Sequence, residues 1–260
     1  MLAPRFVSPR LVVVVAGLVL AAVVGGIAGC RKAEPGRLVV AASIPPLAAL
    51  ARDVAGPDAD VVLLVEAPPP APQSVAVSDA RPADRAKDAR VLVLVGLGYD
   101  EALAALAPAA VAKQRVLRVG DRVPTLSRDD GTPNPFVWLD PQRMRLAAKA
   151  LAEELARADS SHAAAYRQRA AALDARLGGL DEAVEKIASQ GAGPACGSPA
   201  LAYFRERYHL EGPGLAPLPG AEGGSAAAPP ADIFGPVGGS METYGTLLRS
   251  LAEACARRPR

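Results

Sequence analysis

The sequence predicts an α/β protein of two lobes joined by a long helical spine, with the second lobe reduced. Three observations carry this prediction. Short, continuously apolar runs alternate with helical segments through the first half, the pattern of a parallel sheet covered on both faces. An apolar row in steps of four and three then runs through Tyr166, Ala170, Leu173, Leu177, Leu180, Val184 and Ile187, long enough to join two lobes. The chain beyond the spine is thin: residues 194–260 number 67, against 104 for residues 37–140.

Taken in order, Arg37 to Ala42 (RLVVAA) reads as a buried strand, and Pro46 opens a helix ending near Gly56. Asp60 to Val65 (DVVLLV) is the second strand, followed by the proline-rich loop APPPAPQS. A charged helix over about Ser78 to Ala89 leads into the third strand, Val91 to Val95, and the mixed-sign run RPADRAKDAR reads as its solvated face. Tyr99 to Leu106 reads as helical, and Arg115 to Val119 as a fourth strand. Asp140 caps a helix with Pro141 at its first position. The spine begins at about Ser160, with Gly178-Gly179 as a soft point. Ser198 and Pro199 start a helix through Tyr208, and Met241 to Ala256 forms the last one. Between these two, Glu211 to Pro230 is half Gly and Pro without periodicity, and reads as flexible loop.

The first 29 residues lie outside this pattern. Arg5 and Arg10 precede an apolar stretch from Leu11 to Gly29, and Ile27-Ala28-Gly29-Cys30 resembles a bacterial lipobox. Residues 1–29 are thereby expected to be a lipoprotein signal peptide, Cys30 the lipidated residue, and residues 30–36 a tether. The other reading is an uncleaved signal anchor with an incidental cysteine. Loss of the segment's two arginines would bring the formal net charge of +2 to zero, which leaves no electrostatic footprint for nucleic acid. Cys196 and Cys255 then remain as an even pair in an oxidising compartment, so a disulfide is one reading. A buried thiol is the other, because Cys255 continues the apolar row Met241, Tyr244, Leu248, Leu251.

Catalytic signatures are missing. Gly96-x-Gly98 sits between a strand and a helix, but Glu101 stands where a dinucleotide fingerprint needs its third glycine and would meet a pyrophosphate with like charge. His162 and His209 have no ligand-spaced partner and read as surface residues, and the carboxylates are scattered over helix faces. An enzyme is not expected.

The loop residues gain meaning together. Pro72-Gln73, Gly-Leu-Gly, Asn-Pro-Phe-Val-Trp-Leu-Asp-Pro (Asn134 to Pro141), the long spine, Ala-Tyr-Phe-x-x-x-Tyr (Ala202 to Tyr208) and Asp232 before a Glu-Thr-Tyr helix succeed one another in that order. This succession resembles the zinc/manganese substrate-binding proteins of bacterial ABC importers, from Arg37 to Tyr208 and again from Asp232 to the end. The resemblance implies two α/β lobes, each with a parallel sheet, and a metal bound in the cleft between them. It further implies an N-terminal lobe over 37–140, linking helices over 141–190 and a shortened C-terminal lobe over 191–260. An ABC permease and ATPase would be its partners, and the periplasmic or extracytoplasmic face of a membrane its location.

Carried over position by position, the ligands are mostly gone. The family's first histidine after a proline falls on Gln73, or on Ser74 if one residue is inserted. The His of Asp-Pro-His-Val-Trp-Leu-Asp-Pro is Phe136, the third ligand falls on Ser198, and the fourth is kept as Asp232. An amide, a phenyl ring, a hydroxyl and one carboxylate do not make a zinc site, which takes three or four His, Cys or carboxylate ligands. The resemblance therefore implies a degenerate metal site, with zinc or manganese bound only through non-standard ligands such as Cys196 with Asp232. A non-transport envelope lipoprotein that uses the cleft for a partner or an organic ligand is the alternative.

Overall fold

Four of the apolar runs form strands of one parallel sheet: β1 (Leu38–Ala42), β2 (Ala59–Leu63), β3 (Val91–Leu94) and β4 (Arg115–Arg118), in the order β2-β1-β3-β4. The computed structural model describes residues 37–68, 75–76, 87–106, 114–191, 193–211 and 232–256. Expectations for the signal peptide, Cys30, the tether, Gln73, Ser74, most of the charged helix before β3 and nearly all of the Gly/Pro-rich segment lie outside these residues. The order of strands reverses direction between β1 and β3, and a ligand cleft in an open α/β sheet forms outside the carboxyl ends at such a point.

Helix α1 (Pro45–Ala55) makes the crossover from β1 to β2, with prolines in its first turn. It stops at Gly56, whose φ of 58° suits glycine. Arg169 of the spine caps this end, donating to Val54 O at 2.8 Å, Ala55 O at 2.7 Å and the Asp58 carboxylate at 2.7 Å. A side chain at Gly56 would also meet Arg169 Nε at 2.8 Å.

The stretch expected as a helix from Tyr99 starts later and winds tighter, as a 3₁₀ turn over Glu101–Leu106. The cause is Asp100, a fully buried residue. Its carboxylate accepts from Val95 N and Gly96 N, each at 2.8 Å, and so turns the chain back on itself before any helix begins.

Beyond the sheet come α2 (Pro141–Ala158) and the spine α3 (Ala163–Ala188), packed along each other. Asp140 caps α2 by accepting from Gln142 N at 2.7 Å, with Pro141 beside it, as the sequence predicts. The spine has 26 residues, roughly 39 Å at 1.5 Å per residue, and runs through Gly178-Gly179 as unbroken helix. Its predicted row from Tyr166 to Val184 is buried.

Two helices complete the described chain, α4 (Ala202–Arg207) and α5 (Met241–Ala256). The single helix expected from Ser198 to Tyr208 is a 3₁₀ turn at Pro199–Leu201 and then the short α4. After the spine the described residues contain helices and no strand, so among them the reduction of this part extends to its sheet. Cys196 and Cys255 are joined in a disulfide, Cα to Cα 5.0 Å, which ties the turn before Ser198 to the end of α5. Helix α5 packs on the spine and also on α1. One hydrophobic core consequently runs from the sheet through the spine to Leu248 and Leu251.

Candidate functional site

Residues 134–140 form the hub of the molecule because both flanking parts bond to them. The Asn134 side chain accepts from Phe136 N at 3.0 Å and donates to Pro199 O at 3.3 Å. Tyr203 of α4 donates its hydroxyl to Asn134 O at 2.8 Å and accepts from Leu126 N at 3.0 Å. Trp138 donates its indole N–H to Ile233 O at 2.7 Å, and Tyr244 of α5 donates to Trp138 O at 2.7 Å. Positions 136, 198 and 232 are thus brought into one neighbourhood by bonds made from the residues beside them.

Their side chains are occupied there by structural work. Phe136, only 2% exposed, meets Trp138 edge-on with ring centres 5.3 Å apart, and lies 6.4 Å from the Tyr99 ring. Trp138 in turn stacks on Phe234 at 5.3 Å. The aromatic cluster therefore spans from the loop after β3 to the residues just beyond Asp232. Ser198, buried, accepts from Ala200 N as an N-cap. Asp232 accepts from Phe234 N at 2.9 Å and Gly235 N at 2.8 Å, and so holds the turn that presents Phe234 to Trp138. Among the described residues, no group of three or more His, Cys, Asp or Glu side chains is arranged to hold a metal ion.

Charged groups around the hub bind the elements together. Asp140 is buried, which pushes its carboxyl up, and the Arg143 guanidinium bonded to it pulls the other way. Arg143 also reaches Glu206 at 2.8 Å and lies 4.4 Å over the Tyr203 ring. Asp181 of the spine takes Gln142 at 2.8 Å and Arg207, anchoring α4. Asp100 is pushed up by burial, opposed by its two amide donors and by the Ser43 hydroxyl, which is fully buried alongside but outside good hydrogen-bonding geometry. Sequence reasoning gave no structural role to Asp100, or to Tyr203 within its Ala-Tyr-Phe motif. An acid close behind Gly-Leu-Gly was a local signal for the first, whereas nothing local marks a tyrosine whose partners lie 69 and 77 residues away.

His162 and His209 are both surface residues, as the sequence predicts; His162 bonds Asp159 Oδ2 through Nδ1 at 2.6 Å. None of the described helices is long and apolar enough to cross a membrane.

An open parallel sheet, a long spine and a hub at which both parts meet define an α/β protein of the long-spined class. The model of the family described as zinc-uptake complex component A, periplasmic, matches residues 40–234, and the chain belongs to that family. Solved structures agree on the fold. A ZnuA structure is 25% identical over 67% of this chain and 68% of its own, with a TM-score of 0.55. The periplasmic zinc-binding protein TroA from Treponema pallidum is 22% identical over 74% and 71%, with a TM-score of 0.58. A laminin-binding protein of Streptococcus agalactiae, titled as bifunctional with adhesin and metal-transporting activity, is 20% identical over 67% and 66%, with a TM-score of 0.56. No protein of curated function matches the sequence.

Proposed function

We propose that this chain is a substrate-binding component of the zinc/manganese ABC-importer type, anchored by lipid at Cys30, in which the metal site has degenerated. Family membership supports the importer type, with a permease and an ATPase as partners and an extracytoplasmic location. The Ile27-Ala28-Gly29-Cys30 sequence supports the anchor. The observation that carries the degenerate site is the aromatic cluster: the family's histidine position holds Phe136, packed edge-on to Trp138 and next to Tyr99. With Ser198 and Asp232 spent on backbone amides, a cation at this place would have to displace packing as well as find ligands.

The rival in which Cys196 joins Asp232 around a metal is weakened by the disulfide, since a bonded sulfur has no thiolate to offer. The other rival, an envelope lipoprotein with an organic ligand or a protein partner, keeps the same fold and differs only in what it serves.

Metal analysis of the purified protein with calorimetric titration of Zn²⁺ and Mn²⁺ tests the reading. A single free carboxylate with neutral oxygens holds zinc no more tightly than about 10 to 100 μM. Nanomolar zinc binding by the unaltered chain would overturn it.

A further inference from the structure

Outside the carboxyl ends of β3 and β4 is a cleft of about 480 Å³, with Tyr99, Glu101, Asp121, Arg128, Thr132 and Pro135 among its lining residues. That size falls in the range of small-molecule sites, and the cleft lies at the carboxyl ends of the strands, beside the switch point between β1 and β3 rather than at it. Tyr99 and Pro135 border Phe136, so the cleft adjoins the filled metal position without including it.

The charges in this lining are unequal. Glu101 is held by Arg118 Nε at 3.1 and 2.9 Å. Arg128 spends its guanidinium on Thr132 Oγ1 at 2.8 Å and on Asp130 at 3.8 Å. Asp121 is exposed and has no ion pair among the described residues. Once the pairs are discounted, one negative charge remains, in a lining whose accessible apolar residues are Leu97 and Pro133. The floor is fixed as well. Leu97, with a φ of 57°, stands between two glycines of positive φ, and its side chain lies where a Cβ on Gly120 would be 2.4 Å away.

From this cleft we infer a binding site for a small organic cation, an amine or a guanidinium compound, with Asp121 as its counter-ion. The inference rests on reading the chain as a binding protein. Zinc is disfavoured because the named lining has neither imidazole nor thiolate, and a hard cation such as Mn²⁺ because Arg118 already holds Glu101 and no group of three ligating side chains is assembled among the described residues. An anion is disfavoured by the sign of the lining. An ammonium or guanidinium group would donate charge-assisted hydrogen bonds to Asp121, and its carbon skeleton would lie along the exposed Pro133 and the half-buried Leu97.

The test is calorimetry and thermal shift on the full chain in detergent, with putrescine, agmatine, choline and arginine as probes and glutamate and inorganic phosphate as anionic controls. At least one cation should bind with a Kd below about 100 μM. Asp121→Asn, an exposed and conservative change, should weaken that binding at least about tenfold and leave the melting temperature of the free protein unchanged. Saturable binding by none of the cations, binding of the anions instead, or an unaltered Kd in Asp121→Asn would each overturn the site. Failure here leaves the degenerate metal site untouched, and nanomolar zinc binding would sink that reading while leaving this one to its own titration.

Discussion

Replacing Phe136 with alanine is the most direct test of whether a ligand position has become core. The ring is almost wholly buried and has two aromatic neighbours, Trp138 at 5.3 Å and Tyr99 at 6.4 Å. Burial of a phenylalanine side chain contributes about 1.5–3 kcal/mol. Each aromatic pair adds about 0.5–1.5 kcal/mol, and a rigid frame leaves a cavity when the ring is removed. The expected loss is therefore in the upper part of the usual range of about 3–5 kcal/mol. Urea titration of a soluble form beginning at residue 31 would read it as a lower midpoint at constant slope. A double-mutant cycle with Trp138→Ala should return a coupling of about 0.5–1.5 kcal/mol for the edge-on pair. A loss below about 1 kcal/mol, the ordinary cost of a surface change, would refute the idea that packing has taken over from coordination.

Four further outcomes are expected. Restoring Gln73→His, Phe136→His and Ser198→His together should raise zinc affinity by orders of magnitude with Asp232 as fourth ligand, each single change doing much less; isothermal titration decides it. Reduction of the Cys196–Cys255 bond, which spans 59 residues, should cost about 4 kcal/mol by chain entropy, seen as a lower melting temperature in dithiothreitol and absent in Cys196→Ser. Gly120→Ala would drive a methyl to within 2.4 Å of Leu97 Cγ and should cost about 1–3 kcal/mol in chemical denaturation. The hydrogen bond from Arg145, with help from Lys149, holds the Asp174 carboxyl down at about 2. Because this pKa is depressed in the folded state, its contribution is present above the unfolded value near 4 and is lost as pH falls towards 2. Asp174→Asn should accordingly flatten the acid limb of the melting-temperature profile in that window.

Much of the architecture was legible because it is written in local periodicity. The four strands, the Asp140 cap and the Met241–Ala256 helix need only neighbours in sequence to be recognised. The loop after β3 misled because Asp100 competes for the amides that begin the turn, and a side chain bonding backward is invisible to helical spacing. The site was half legible. The Val-Trp-Leu-Asp-Pro frame marked Phe136, the Ala-Tyr-Phe helix marked Ser198 and the Asp-x-x-Gly turn marked Asp232, but what those side chains do was not readable. That Asn134 bonds Pro199 and that Trp138 bonds Ile233 are facts of long-range assembly, 65 and 95 residues apart.

The reach of α5 back onto α1 has a consequence for how the chain is made. Arg52 donates to Gly239 O at 3.0 Å across 187 residues, and the last helix seals apolar surface that the first helix creates. A chain emerging from its amino end exposes α1 long before α5 exists. Its apolar side must therefore stay uncovered, or be shielded by another molecule, until α5 has been made. A chain cut short before Met241 would bear that open surface and be a target for proteases, whereas a chain that includes α5 covers it.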